Sequence, residues 1–296
     1  MKTWITLGLM AMAMLPLAAQ THTEKVVKEL SFEKKNAANA VMIANINGSI
    51  KVVGYEGEKI LVEVTKTINA KSAARLEKGK SEIQLGVVDL ADSLILYVAG
   101  ECGSFGKQDH KHNNHNNRNW GYSWNNNCDN CRHDYDYKMD FVVKVPYSIN
   151  LSVSTVNNGD VDVENVKGAV MANNVNGSIR LQNLIGEAEA STINGNVDVE
   201  YAKNPPQDCR FYTLNGDINA WFQKGLAANL SFESFNGSFY TNIEKLEPMP
   251  VTVEKKDSNK GIKYKVNDNR FKVGTGGANL DFETFNGDVY LKEKTN

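Results

Sequence analysis

Excess charge of either sign is missing from this 296-residue sequence, in which 33 Lys+Arg face 35 Asp+Glu for a formal net charge of −2. A nucleic-acid binder needs a basic face, so that class is excluded. Proline is scarce, 6 against 23 glycines, which predicts many turns and little rigid linker. Past the N terminus no apolar run approaches the roughly 18 residues of a membrane-spanning helix. Also missing are a Gly-x-Ser-x-Gly elbow, a phosphate loop, a His-Glu-x-x-His helix and the paired glycines of calcium-binding nonapeptides. What remains is ordinary globular composition, 41% hydrophobic and 23% charged, which excludes wholesale disorder.

Residues 1–20 are strongly apolar. Lys2 supplies a positive start, and the run from Trp4 to Leu15 matches a secretory core but is shorter than the roughly 20 residues that span a bilayer. Pro16 then breaks it ahead of Ala18, Ala19 and Gln20, where small residues suit a signal peptidase. Cleavage is expected after Gln20 or one residue earlier. No cysteine follows the run, so no lipid anchor is expected there. The chain is read as a signal peptide over 1–20 and a single domain over 21–296, exported to the periplasm, the outer-membrane surface or the medium.

The dipeptide Asn-Gly recurs at Asn47-Gly48, Asn158-Gly159, Asn176-Gly177, Asn194-Gly195, Asn215-Gly216, Asn236-Gly237 and Asn286-Gly287. Gly159, Gly177 and Gly195 are spaced by 18, with Gly216 and Gly237 following at 21, and Gly168 and Gly186 lie halfway between. Two residues before the glycine stand Ile46, Val175, Ile193, Leu214, Phe235 and Phe285; two after it stand Ile50, Val161, Ile179, Val197, Ile218, Phe239 and Val289. Apolar residues at every second position describe strands with one buried face. Asn-Gly between them reads as a turn, since both residues tolerate positive φ. At Asn157 an extra residue predicts a small bulge. Asn-Gly also marks hairpins, so an antiparallel meander competes with a stack of parallel coils. Near-equal units with matching residues favour the stack, which would align the asparagines into amide ladders. The expected fold is an all-β parallel β-solenoid (β-helix) with coils of about 18–21 residues. One short helix, of helix-forming composition over 70–82, and two insertions, at 101–138 and 244–277, complete it.

The signal peptide, the strand end at Val145-Pro146 and the repeated Thr/Ser-hydrophobic-Asn-Gly-Asp/Ser-hydrophobic units resemble the bacterial putative-adhesin domains of unknown function. These are related to the auto-transporter-adhesin head GIN domains frequent in Bacteroidetes. The resemblance spans about residues 40–292. It implies a β-solenoid in the cell envelope with an adhesive role, and it supplies no catalytic residues.

The 101–138 insert is the chemical oddity. His110, His112, His115, Cys128, Cys131 and His133 have ligand spacing suited to zinc or copper, since imidazole and thiolate bind both. A lone Cys-x-x-Cys lacks the second pair of a zinc motif, however. The simpler expectation is a polar loop, without a cofactor, stapled by a disulfide among Cys102, Cys128 and Cys131, because exported thiols meet an oxidising environment. With Cys209 included, four cysteines allow three complete pairings. Trp120, Tyr122 and Trp124 alternate, and would either contact a sugar or partner surface or pack down onto the coils.

An enzymatic reading would use Asp160, Asp217 and Asp288, which follow repeat glycines, as polysaccharide-cleaving carboxylates. Ser49, Ser178, Ser238 and Asn196 fill the same position in other units, which fits turn chemistry better. The sequence therefore predicts a non-enzymatic adhesin or scaffold whose partner is a surface glycan or an envelope protein. A periplasmic metal-binding protein is the alternative, and a polysaccharide-active enzyme the second.

Overall fold

Each Asn-Gly of the repeat separates two short strands that join different sheets. The computed structural model describes residues 19–100, 104–107, 122–125, 133–258, 261–267 and 269–294, all-β apart from one helix. Two strands bracketing a corner form a rung, and rungs are numbered here by position in the stack. Rung 1 is Ser93–Ala99 with Tyr135–Pro146, rung 2 Ala40–Ala44 with Ile50–Tyr55, and rung 3 Asn150–Ser154 with Val161–Glu164. Rung 4 is Val170–Asn173 with Ile179–Leu184, rung 5 Ala188–Asn194 with Val197–Tyr201, and rung 6 Cys209–Asn215 with Ile218–Phe222. Rung 7 is Ala278–Asn286 with Val289–Glu293, and rung 8 Ala228–Asn236 with Phe239–Thr241.

The first strands lie in an eleven-stranded sheet I and the second strands in a ten-stranded sheet II. Successive rungs pair in parallel in both. That pairing overturns the meander. The parallel rungs are β-helix-like, but they form two separate mixed sheets that do not close into the expected solenoid, and stacking order is not chain order. Rung 2 lies between rungs 1 and 3, although rung 1 follows it in the chain. Rung 7, the last in sequence, lies between rungs 6 and 8.

Inward residues at alternate positions fill the space between the sheets, including Val52, Val161, Val163, Ile179, Leu181, Val197 and Val199, each 0 or 1% exposed. Toward the far end the core turns aromatic. Phe282 of rung 7 sits 5.4 Å from Phe211 of rung 6 and 5.3 Å from Phe232 of rung 8, ring centre to ring centre. A phenylalanine in the inserted rung thus continues the column across the break in chain order.

Antiparallel strands close the near end: Ile60–Ala70 pairs with Tyr135–Pro146 and with Gln20–Leu30. The helix Ala73–Glu82 packs beside them, its first turn capped by Ser72, whose side chain accepts from the Arg75 N–H. Its last carbonyls meet a buried cation, as Lys66 Nζ donates to Lys80 O at 3.1 Å and Ile83 O at 2.9 Å. Glu24 lies 2.5 Å from the same ammonium, so that charge is paired despite 1% exposure. The hydrogen bond from Lys66 holds the Glu24 carboxyl below its ordinary range. The second insertion contains an antiparallel hairpin, Thr252–Ser258 with Gly261–Asn267.

Three side-chain columns fasten the rungs at the Asn-Gly corner. Asn176 Nδ2 donates to Asn157 Oδ1 at 2.8 Å, and the relay continues through Asn194, Asn215 and Asn286 to Asn236. The expected amide ladder is present, in spatial order. Of the asparagines in the Asn-Gly pairs only Asn158 has positive φ, 61°. It is the extra residue of the predicted bulge, and Asn157 takes the ladder position beside Asn47. The second column comes from residues after the glycine. Asp160 accepts the Ser178 N–H, Asn196 that of Asp217, Asp217 that of Asp288, and Asp288 that of Ser238.

Buried hydroxyls make the third column. Thr192 donates to Gly177 O, Thr213 to Gly195 O and Thr284 to Gly216 O. Thr213→Val keeps the shape but removes a donor from a fully buried site. We expect it to lower stability by about 1–3 kcal/mol, the usual cost of an unmet buried polar group. Urea denaturation checks this, and an unchanged midpoint would mean the hydroxyl column contributes nothing.

Candidate surface-recognition site

Because rungs stack about 4.8 Å apart, a residue type repeated at one rung position becomes a continuous row on the surface. The row just before the ladder asparagines is apolar and faces outward: Ile46, Val156, Val175, Ile193, Leu214, Phe285 and Phe235 in stacking order. Sequence periodicity placed these residues in the core, and the structure corrects that. The chain bends at the corner, so the next buried group after Thr192 or Thr213 lies beyond the glycine, and the residue between points to solvent. Ile193 is 40% exposed, Phe285 44% and Phe235 75%. The others are half-buried. Phe235 and Phe285 stack at 4.8 Å, their ring planes almost parallel at 4°. Over rungs 2 to 8 the ridge extends about 29 Å at the usual rung spacing, flanked by the amide ladder.

The outer face of sheet II adds polar and aromatic groups. Arg180 pairs with Asp162 at 2.8 Å, Asn219 donates to Asp198, and Lys294 pairs with Glu200. Arg180, Gln182, Asp198, Glu200, Trp221 and Lys294 line a shallow cleft of about 240 Å³. Tyr240 and Tyr290 stack beside it at 5.1 Å. The Tyr290 hydroxyl donates to Asp288, and the bond to that carboxylate raises its pKa.

The repeat aspartates Asp160, Asp217 and Asp288 accept backbone N–H groups of the neighbouring rung, a structural role. Asp140 occupies the same column in rung 1. Burial pushes its carboxyl up, but the Ser49 hydroxyl and N–H with Lys138 outweigh this and hold it low.

The insert residues Cys102, His110, His112, His115, Trp120, Cys128 and Cys131 lie outside the described residues. Tyr122 and Trp124 fall in a short strand, Tyr122–Asn125, antiparallel to Ser104–Lys107. His133 lies against Tyr135, with ring centres 4.9 Å apart. Among the described residues no three His, Cys, Asp or Glu side chains converge as a metal site. Cys209 is a buried free thiol, 3.0 Å from the Tyr201 hydroxyl. Burial pushes its pKa up, which makes it a poor nucleophile.

No family model matches the chain, and no curated protein does. The resemblance to GIN head domains therefore rests on the sequence motifs alone. Several solved structures with provisional names are similar at low level. One, a cell adhesion protein from Clostridium sporogenes, is 12% identical with a TM-score of 0.41, covering 92% of this chain and 100% of that one. An adhesin from Bacteroides fragilis is 11% identical at 0.34, over 92% and 97% of the two chains. A lipid binding protein from Parabacteroides distasonis is 10% identical at 0.27, with the same coverage. At such identities and scores the likeness transfers neither fold nor role to this chain.

Proposed function

We propose that this protein is an exported, non-enzymatic β-solenoid of the cell envelope or surface that acts by surface recognition, in the manner of an adhesin. The exposed ridge from Ile46 to Phe235 carries the reading. An apolar row aligned over seven rungs is unusual on a free surface, where contiguous exposed apolar patches mark interaction sites. The parallel rungs supply rigidity, so the row keeps its spacing without an entropy cost on binding. The Trp221 cleft and the stacked tyrosines add aromatic faces that suit a glycan.

The test uses the mature chain, residues 21–296, on a glycan array and on isolated cell-envelope fractions. The triple variant Ile193→Ser, Leu214→Ser, Phe285→Ser should lose at least about tenfold in binding, the loss expected when central apolar contacts go. Its circular dichroism should match that of the parent. Equal binding by both proteins, or none by the parent, would refute the ridge.

The metal alternative keeps its basis in the insert motif of His110, His112, His115, Cys128, Cys131 and His133. Metal content measured with a free-thiol count decides it. One equivalent of zinc or copper with reduced Cys128 and Cys131 would favour metal binding, and blocked thiols without metal a stapled loop.

A further inference from the structure

We propose that Asn158-Gly159 is a site of spontaneous backbone modification, where Asn158 deamidates through a succinimide, and that the corner hydrogen bonds hold the other six Asn-Gly pairs back from the same reaction. The chemistry belongs to the dipeptide. Gly159 N gives up its proton to solvent hydroxide and attacks Asn158 Cγ, unhindered because glycine has no Cβ. The new N–Cγ bond replaces the Cγ–Nδ2 bond, and ammonia leaves with a proton taken back from water. A second water opens the ring, at Cγ to give aspartate or at the main-chain carbonyl to give isoaspartate, in which the chain runs through the former side chain. One water is consumed and one ammonia released, with no change of oxidation state.

The attack needs a glycine N–H that is not engaged and an asparagine side chain free to turn toward it. Four pairs offer neither. Asn176, Asn194, Asn215 and Asn286 each donate one amide bond along the ladder and accept another. Their glycines are tied as well: Gly177 N donates to Asn194 O at 2.9 Å, Gly195 N to Asn215 O at 3.0 Å, Gly216 N to Asn286 O at 2.9 Å and Gly287 N to Asn236 O at 3.1 Å. In two further pairs one of the reacting groups is held. Gly48 N donates to Asn157 O at 2.8 Å, and Asn236 Nδ2 donates to Asn286 Oδ1 at 2.8 Å. Asn158-Gly159 is held on neither side. Among the described residues no hydrogen bond reaches the Asn158 side chain or the Gly159 N–H.

The bulge is the cause. Rung 3 carries one residue too many at its corner, and Asn157 takes the ladder position: its Oδ1 accepts the Asn176 amide and its carbonyl accepts Gly48 N–H. Asn158 is left outside the column at φ 61°. Exposure does not separate the pairs. Asn158, Asn176, Asn194, Asn215 and Asn286 are all exposed, and the glycine after each is half-buried. Hydroxide therefore reaches these five corners alike, and the hydrogen bonds decide between them.

The experiment is a time course on residues 21–296 in mildly alkaline buffer, folded and in unfolding concentrations of urea. Peptide mapping by mass spectrometry follows each pair, and enzymatic methylation detects isoaspartate. In the folded chain Asn158 is expected to convert at least about tenfold faster than Asn194 or Asn215, the rate gap that one net hydrogen bond makes in a barrier. Asn47 and Asn236 should fall between. In urea the corner bonds are gone, and the gap should close. An Asn158→Gly variant suits the positive φ and lacks the amide, so its early ammonia release should drop. Conversion of Asn158 no faster than Asn194 in the folded chain would overturn the proposal, as would a lead that persists undiminished in urea or an Asn158→Gly variant that releases ammonia as fast as the parent. None of these readouts involves a ligand, so this inference and the surface-recognition reading can fail separately.

Discussion

Deleting residues 278–296 is expected to melt the far end of the stack and leave the middle rungs folded. The deletion removes rung 7, the sole strand neighbour of Phe239–Thr241 among the described residues and the parallel partner of Ala228–Asn236. Leu280, Phe282, Val289 and Leu291 are all buried, and full burial of such side chains is worth about 1.5–3 kcal/mol each, so the loss has an upper bound of roughly 6–12 kcal/mol. Hydrogen exchange resolves the effect by position. Protection should vanish over 228–241 and persist in rungs 3 to 5, because stacked repeats depend mainly on nearest neighbours. Protection retained at 228–241 would show that rung 8 docks on rung 6 unaided, and that the inserted rung is dispensable.

Gly216→Val is a point substitution with a large expected cost. A Cβ at Gly216 would stand 2.1 Å from the backbone oxygen of Gly195, and the residue has φ +156°. Neither oxygen nor corner can retreat, since each glycine carbonyl is fixed by the hydroxyl column and the rung beyond. We expect a loss of about 3 kcal/mol, the upper end of the usual cost of overpacking a core. Gly225→Ala is the control. Its φ is +81° with nothing within 4 Å of the added carbon, so only backbone strain of about 1–2 kcal/mol should appear. Chemical denaturation of the two variants side by side reads the difference. Equal losses would mean that the glycine column reflects backbone conformation, not close approach between rungs.

Much of this fold was legible in the chain. Asn-Gly spacing with flanking apolar alternation pointed to parallel rungs and an amide ladder, because repeated units that cannot bury their faces alone must stack. The helix was visible in its composition, and the bulge at Asn157 in one residue too many. The outward row was misread for a definite reason: strict alternation assumes a straight strand, and the corner turns Ile193 and Phe285 away from the core. The insert was the most conspicuous chemistry in the sequence, yet no described geometry bears on its ligands. The surface features that the structure does show, the ridge and the Trp221 cleft, had no motif that could announce them, since each is assembled from several rungs.

The sequence by itself determined which residues form a rung and what fastens one rung to the next. Those interactions are local and repeat with the motif: an asparagine amide, a hydroxyl on a glycine carbonyl, an oxygen for the next N–H. It could not determine the order of the rungs, because identical fasteners accept any neighbour. Tertiary packing decided that order. The long connection over residues 242–277 lets rung 7 return between rungs 6 and 8, where Phe282 completes the stack of Phe211 and Phe232.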